Sequence, residues 1–119
     1  MNKNIQEIKG EDYLVRYNED SATATFQGEL ALGGLKEYAP IRQLLTDIIE
    51  DRPSEMTIDL NELHFLNSSG INMLSKFLLG LRKKKEIQMI VVGSNSVPWQ
   101  GKSLKNLQKC LPTLKLEIR

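Results

Sequence analysis

Two stretches of this 119-residue chain combine residue types and spacings that chemistry can use. The first is Asn67-Ser68-Ser69-Gly70, placed just before Ile71, Leu74, Leu78 and Leu81, which recur at helical spacing. A small polar residue ahead of an amphipathic run acts as an N-cap. Asn67 or Ser68 would accept a hydrogen bond from a first-turn N–H that has no partner within the helix. Ser68, Ser69 and Gly70 then lie where backbone N–H groups point outward and the helix dipole is positive. A phosphoryl group on a hydroxyl there adds about −1.5 to −2 charges and three strong acceptors. It would meet a favourable field, leave the fold in place and change what the surface can bind. From spacing alone, capping is the simpler role.

The second stretch, Ser96-Val97-Pro98-Trp99-Gln100-Gly101-Lys102-Ser103, resembles a phosphate loop with Ser in place of the first Gly. Such a loop wraps phosphate with consecutive N–H groups, yet Pro98 removes one and Trp99 is bulky. A connector that brings Gly101, Lys102 and Ser103 to the start of a helix fits better, and a small nucleotide-binding protein is the weakest of the functional readings. Cys110 is the only cysteine and His64 the only histidine. A lone thiol cannot close an internal disulfide, which suits a reducing cytosol, and its apolar spacing with Leu107 and Leu111 suggests packing. His64 has no metal or acid–base partner visible in sequence and reads as a polar loop residue. Glu50-Asp51 follows a helix and looks solvated. No metal ligands, cofactor site or catalytic residues are expected. Trp99 is expected to pack, and Arg82-Lys83-Lys84-Lys85 to be a solvated helix end favoured by the dipole.

The elements that must position these residues follow from periodicity. Residues 13–17 are β-prone and close on the turn cluster Asn18-Glu19-Asp20; Ala22, Ala24 and Phe26 then alternate with polar residues, giving a hairpin. Gly33-Gly34 breaks the pattern. Tyr38, Ile41, Leu45 and Ile48 mark a first helix, with Pro40 expected in its first turn and Arg52-Pro53 beyond its end. Residues 56–60 form a short strand, which a loop connects to the helix after Asn67. Residues 87–93 are the most apolar strand, expected at the sheet centre. Leu104, Leu107 and Leu111 mark a third helix, and residues 114–118 a last strand. The order ββαβαβαβ implies an α/β fold with a mostly parallel sheet, in one domain spanning 1–119.

Net charge is +1, which argues against a protein that binds nucleic acid by neutralising phosphates. The charge is unevenly spread: residues 1–60 hold 6 Lys+Arg against 12 Asp+Glu, and residues 61–119 hold 10 against 3. Such segregation gives two solvated faces of opposite sign or a surface that orients a charged protein partner. The polar start Met1-Asn2-Lys3-Asn4-Ile5-Gln6-Glu7 lacks the apolar core of a signal peptide, and no apolar run approaches bilayer length. A cytoplasmic protein with no membrane partner is expected.

Residues 57–81 resemble the signature of STAS domains of the anti-sigma-factor-antagonist type. That signature is an apolar strand, Asp-Leu (Asp59-Leu60 here), a short loop, then the tetrad Asp-Ser-Ser-Gly, matched here by Asn67-Ser68-Ser69-Gly70, opening an amphipathic helix. The resemblance implies a mixed, mostly parallel sheet with helices packed on one side. It further implies a binding switch that is not an enzyme. Ser69, with Ser68 as the alternative, would be phosphorylated by a serine kinase of the histidine-kinase-like ATPase fold that doubles as an anti-sigma factor. A PP2C-type phosphatase would reverse the mark, and the unphosphorylated form would bind the kinase. Asn67, Ser68, Ser69, Gly70, Asn72 and Met73 would form the partner-binding face. The family's Asp before the two serines is Asn67 here, which keeps the cap but removes a negative charge beside the acceptor hydroxyl. A scaffold on the same fold that is never phosphorylated is the alternative.

Overall fold

The computed structural model describes residues 5–119; the polar start at residues 1–4 lies outside the described residues. The chain forms β1 (Ile5–Lys9), β2 (Tyr13–Asn18), β3 (Thr23–Leu30), α1 (Leu35–Glu50), β4 (Glu55–Leu66) and α2 (Ser68–Gly80). A 3-10 turn (Leu81–Lys83), β5 (Gln88–Gly93), α3 (Gln100–Cys110) and β6 (Lys115–Ile118) complete it. The six strands make one sheet in sequence order, β1-β2-β3-β4-β5-β6. The β1–β2 and β2–β3 pairs are antiparallel; β3–β4, β4–β5 and β5–β6 are parallel, each joined through one of the three helices. This is the mixed, mostly parallel α/β sheet that the element order implies.

The core is a slab between the helices and one face of the sheet. Val15, Ala24, Phe26, Ile58, Leu60 and Val91 point into it from the strands. Tyr38, Ile41 and Leu45 of α1, Met73 and Leu74 of α2, and Leu104 and Leu107 of α3 meet them. The other face carries the alternate residues. One row across it reads Glu7, Arg16, Thr25, Asp59, Val92 and Glu117, each opposite the next on the neighbouring strand. Arg16 Nε donates to Glu7 Oε2 at 2.8 Å within this row.

Five features depart from the sequence expectations. β1 has no counterpart among the expected strands, because its pairing to β2 supplies the stability that its own polar composition does not. β4 is not a short strand followed by a loop: it runs twelve residues to Leu66 and includes His64 as an exposed strand residue. Its register with β3 slips twice, pairing Thr25 with Asp59 but Gln27 with Glu62, and Gly28 with Leu63 but Glu29 with Phe65. Each slip inserts one extra residue into β4. The buried positions therefore fall at Leu60, Leu63 and Leu66, a spacing of three that hides a period-two strand. β5 is fifth of six, and the central pair is β3–β4. Pro40 lies in the second turn of α1, since that helix starts at Leu35. Arg82 is not merely solvated: its Nε donates to Cys110 O at 2.6 Å and Nη2 to Lys109 O at 3.0 Å, closing the C-terminal end of α3.

Candidate functional site

Because β3, β4 and β5 run parallel, the loops after their C-terminal ends lie along one edge of the sheet, where open α/β sheets place binding sites. These loops are residues 31–34, Asn67, and residues 94–99. Asn67 joins the first two. Its backbone is extended, with φ −79° and ψ 175°, and its Oδ1 accepts from Gly70 N at 3.0 Å, making it the N-cap of α2. The same oxygen accepts from Tyr38 Oη at 2.6 Å, and Asn67 Nδ2 donates to Leu32 O at 2.8 Å. Leu32 N donates to Tyr38 Oη at 3.4 Å, and Asn67 N to Leu30 O at 3.1 Å. One amide thus ties together α1, α2 and the β3–α1 loop. Burial pushes the Tyr38 phenol up from its usual 10.0, so it stays a protonated donor to Asn67 at neutral pH.

The expected site residues divide by exposure. Ser68 and Asn72 are exposed and Ser69 is half-buried. Ser69 Oγ makes no hydrogen bond among the described residues, and no buried side-chain oxygen there is left unpartnered, so this hydroxyl reaches solvent. The N–H groups of Ser68 and Ser69 likewise have no protein acceptor among the described residues. The start of α2 therefore offers two hydroxyls and two free donors on one turn. Met73 and Gly70 do not belong to such a surface, which corrects the expectation for both. Met73 is 0 % exposed in the core. Gly70 is buried against Leu66 and Tyr38; a Cβ there would come within 2.7 Å of Tyr38 Oη. It is a close-approach position inside the fold, which only glycine fills without displacement.

Sequence reasoning missed the neighbours that complete the edge. Leu35 and Phe65, which flank the tied loop and the tetrad in sequence, are large apolar residues left 42 % and 45 % exposed. Ser94, Asn95 and Ser96 add hydroxyl and amide groups on the loop after β5, with Ser94 Oγ and Ser96 Oγ 2.7 Å apart. Beyond Asp59, β4 no longer pairs with β5. Side chains from the start of α3 take over: Gln100 Nε2 donates to Leu60 O at 2.6 Å and Leu63 O at 3.0 Å, and Trp99 Nε1 donates to Leu63 O at 2.9 Å. Gln100 Oε1 accepts from Ser94 N at 2.7 Å, and Gln100 is 0 % exposed. The stretch that resembles a phosphate loop is thus a structural connector, with Gly101, Lys102 and Ser103 inside α3. Cys110 is partly buried against the core. No group of three or more His, Cys, Asp or Glu side chains able to hold a metal occurs among the described residues. No helix there is long and apolar enough to cross a membrane.

Comparison with known proteins agrees with this architecture. Solved structures of SiaC of Pseudomonas aeruginosa align over 98 % of both chains with a TM-score of 0.74 at 12 % identity, and in the apo form over 98 % of this chain and 99 % of that one with 0.76 at 10 %. SiaC has also been solved in complex with the diguanylate cyclase SiaD, of which it is the activator; that structure aligns with a TM-score of 0.72 at 11 % identity, over 96 % of this chain and 99 % of that one. An anti-sigma factor antagonist from Mycobacterium paratuberculosis aligns with a TM-score of 0.57 at 23 % identity, covering 93 % of this chain and 85 % of that one. At these identities the likeness is one of fold. No curated protein matches in sequence. The STAS domain family model matches residues 25–100, from β3 through the Asn67 node to the Gln100 side chain that closes β4, and the chain therefore belongs to the STAS domain family.

Proposed function

We propose that this chain is a phospho-switchable regulatory binding protein of the anti-sigma-factor-antagonist type, acting in the cytoplasm as a single domain and not as an enzyme. The observation that carries the reading is the free Ser69 hydroxyl on the opening turn of a helix whose N-cap is fixed by three hydrogen bonds. A phosphoryl group there would sit in the favourable field of the α2 N-terminus, so the fold tolerates it. A partner docked over Ser68, Ser69 and Asn72 would meet a dianion instead of a hydroxyl. The partners this implies are a serine kinase of the histidine-kinase-like ATPase fold and a PP2C-type phosphatase. The SiaC–SiaD complex supports the broader idea that this fold serves as a binding partner, and it makes a cyclase as reasonable an output as a sigma factor.

The test is affinity capture from native lysate with wild type, Ser69→Ala and Ser69→Asp, with intact-mass analysis of the chain itself. Ser69→Asp should weaken binding of the captured kinase at least about tenfold, equivalent to about 1.4 kcal/mol, with the melting temperature within about 2 °C of wild type, as expected for a surface change of under about 0.5 kcal/mol. Equal capture by all three forms would remove Ser69 from the interface. A second reading, a scaffold that is never phosphorylated, draws on Asn67, whose amide is committed to Leu32 and which offers no charge to a kinase. Absence of a phosphoryl mass adduct under every growth condition favours the scaffold.

A further inference from the structure

A second surface lies along the outer side of the helix layer. Between α1 and α2 runs a groove of about 150 Å³, floored by Ile49, Phe77 and Leu81 and rimmed by Arg42, Lys76 and Lys84. A space of that size takes about one benzene-sized group, as one Leu or Phe side chain supplies. A second concavity, lined by Leu35, Ala39 and Gln43 of α1 alone, shares Arg42 and Thr46 with it. Across from Thr46, Gly80 leaves the wall low: a Cβ added there would meet nothing within 4 Å.

The rim has one sign. Arg42, Lys76 and Lys84 make no ion pair among the described residues. Exposed Lys83 and Lys85 adjoin Lys84. On α1 the acids Glu37, Asp47 and Glu50 outnumber Lys36 and Arg42, but none of the three lines the groove. From Ser68 to Cys110 the sequence holds eight Lys and Arg against the single acid Glu86. An open trough between two helices, with an apolar floor and a cationic rim, matches an acidic amphipathic helix in polarity and charge. A flat lipid surface would not reach the floor.

We propose that the α1–α2 groove docks an acidic amphipathic helix of a partner protein, with a Leu or Phe anchor over Ile49, Phe77 and Leu81 and carboxylates over Arg42, Lys76 and Lys84. This rests on the reading of the chain as a partner-binding module but not on modification of Ser69. The test is a nuclear magnetic resonance titration of the full chain with two synthetic helical peptides sharing one Leu stripe, flanked by Glu in one and by Lys in the other. The Glu peptide should shift the amides of Thr46, Phe77, Gly80 and Lys84, and the Lys peptide should not. The double variant Arg42→Glu, Lys76→Glu should weaken the Glu peptide at least tenfold. Gly80→Leu should fill the notch and abolish binding with melting unchanged or raised, since it also gains helix propensity at an open position, and Ser69→Asp should leave the peptide's affinity unaltered.

Equal binding of the two peptides, or shifts confined to other surfaces, would overturn the proposal. So would displacement of the Glu peptide by phosphatidylglycerol vesicles, or concentration-dependent shifts at the groove without peptide, which would assign it to lipid or to a second copy. Peptide binding with no effect of Ser69→Asp on kinase capture would remove the phospho-switch and keep the groove; the converse result would do the opposite.

Discussion

Replacing Asn67 by Asp, the residue that the family pattern favours, tests whether this amide is required by its surroundings. In Asn67→Asp the acceptor bonds from Gly70 N and Tyr38 Oη survive and gain charge assistance. The carboxylate at the start of α2 also gains about 0.3–1 kcal/mol from the dipole. Against this, the donor to Leu32 O is lost, and an anionic oxygen is brought to a carbonyl oxygen that lay 2.8 Å from an N–H. Leaving that partly buried acceptor without its donor costs about 1–3 kcal/mol. The balance is a net destabilisation of about 1–2 kcal/mol. For 119 residues, about 2.1 cal/mol/K per residue gives an unfolding entropy near 0.25 kcal/mol/K, so the melting temperature should fall by about 4–8 °C. Calorimetry at pH 7 reads this directly, and amide exchange should rise in residues 31–34, which lose their tether. A variant that melts at or above the wild-type temperature, with those amides still protected, would refute the reasoning: the Leu32 carbonyl would not depend on the Asn67 amide.

Gln100→Leu leaves Ser94 N and Leu60 O without partners inside the fold, and should cost about 2–4 kcal/mol in urea denaturation, against under about 1 kcal/mol if solvent reaches these groups. Gly70→Ala gains about 1 kcal/mol of helix propensity but forces a methyl group against Leu66 and Tyr38, so a net loss of about 1–2 kcal/mol is expected by the same assay. Arg82→Met uncaps α3 at an exposed site and should lower stability by about 0.5–1 kcal/mol, with amide exchange rising in its last turn. Burial pushes the Tyr38 phenol up from 10.0, so the stability it contributes is complete below pH 10 and is lost as pH rises through its higher folded value. Tyr17 is pushed the same way, by burial and then by Glu19 and Asp51. Stability measured from pH 9 upward should therefore decline in wild type, less steeply in Tyr38→Phe, and still not be flat there because Tyr17 remains.

How much of the molecule is legible in its sequence depends on whether the cause is local. The α2 start is legible because an N-cap and its helix are neighbours in sequence, and Asn67 does cap Gly70. The three helices are legible because each buries a stripe at helical spacing, as Tyr38, Ile41 and Leu45 do on α1. β4 is half legible: its period-two pattern holds at Met56, Ile58 and Leu60, then breaks where two bulges shift the register against β3. Bulges depend on a partner strand that a linear reading does not see. The same limit hides the tie from Asn67 to Tyr38, 29 residues away, and to Leu32, 35 residues away. It also hides the grip of Gln100 on β4, 40 residues back. Met73 escapes a linear reading because its neighbour Asn72 is exposed; one residue is a rotation of about 100° around a helix, enough to turn a surface position into a core one.

The sheet is roofed on one side only, and this has a practical corollary. Thr25, Asp59 and Arg16 stand on the uncovered side, away from the helix layer that holds both the α2 opening turn and the α1–α2 trough. A fluorophore or a surface linkage introduced at Thr25 is attached through the back of the molecule. It leaves the front free, so the chain can be immobilised for binding measurements in one orientation with every candidate contact still presented to the solution.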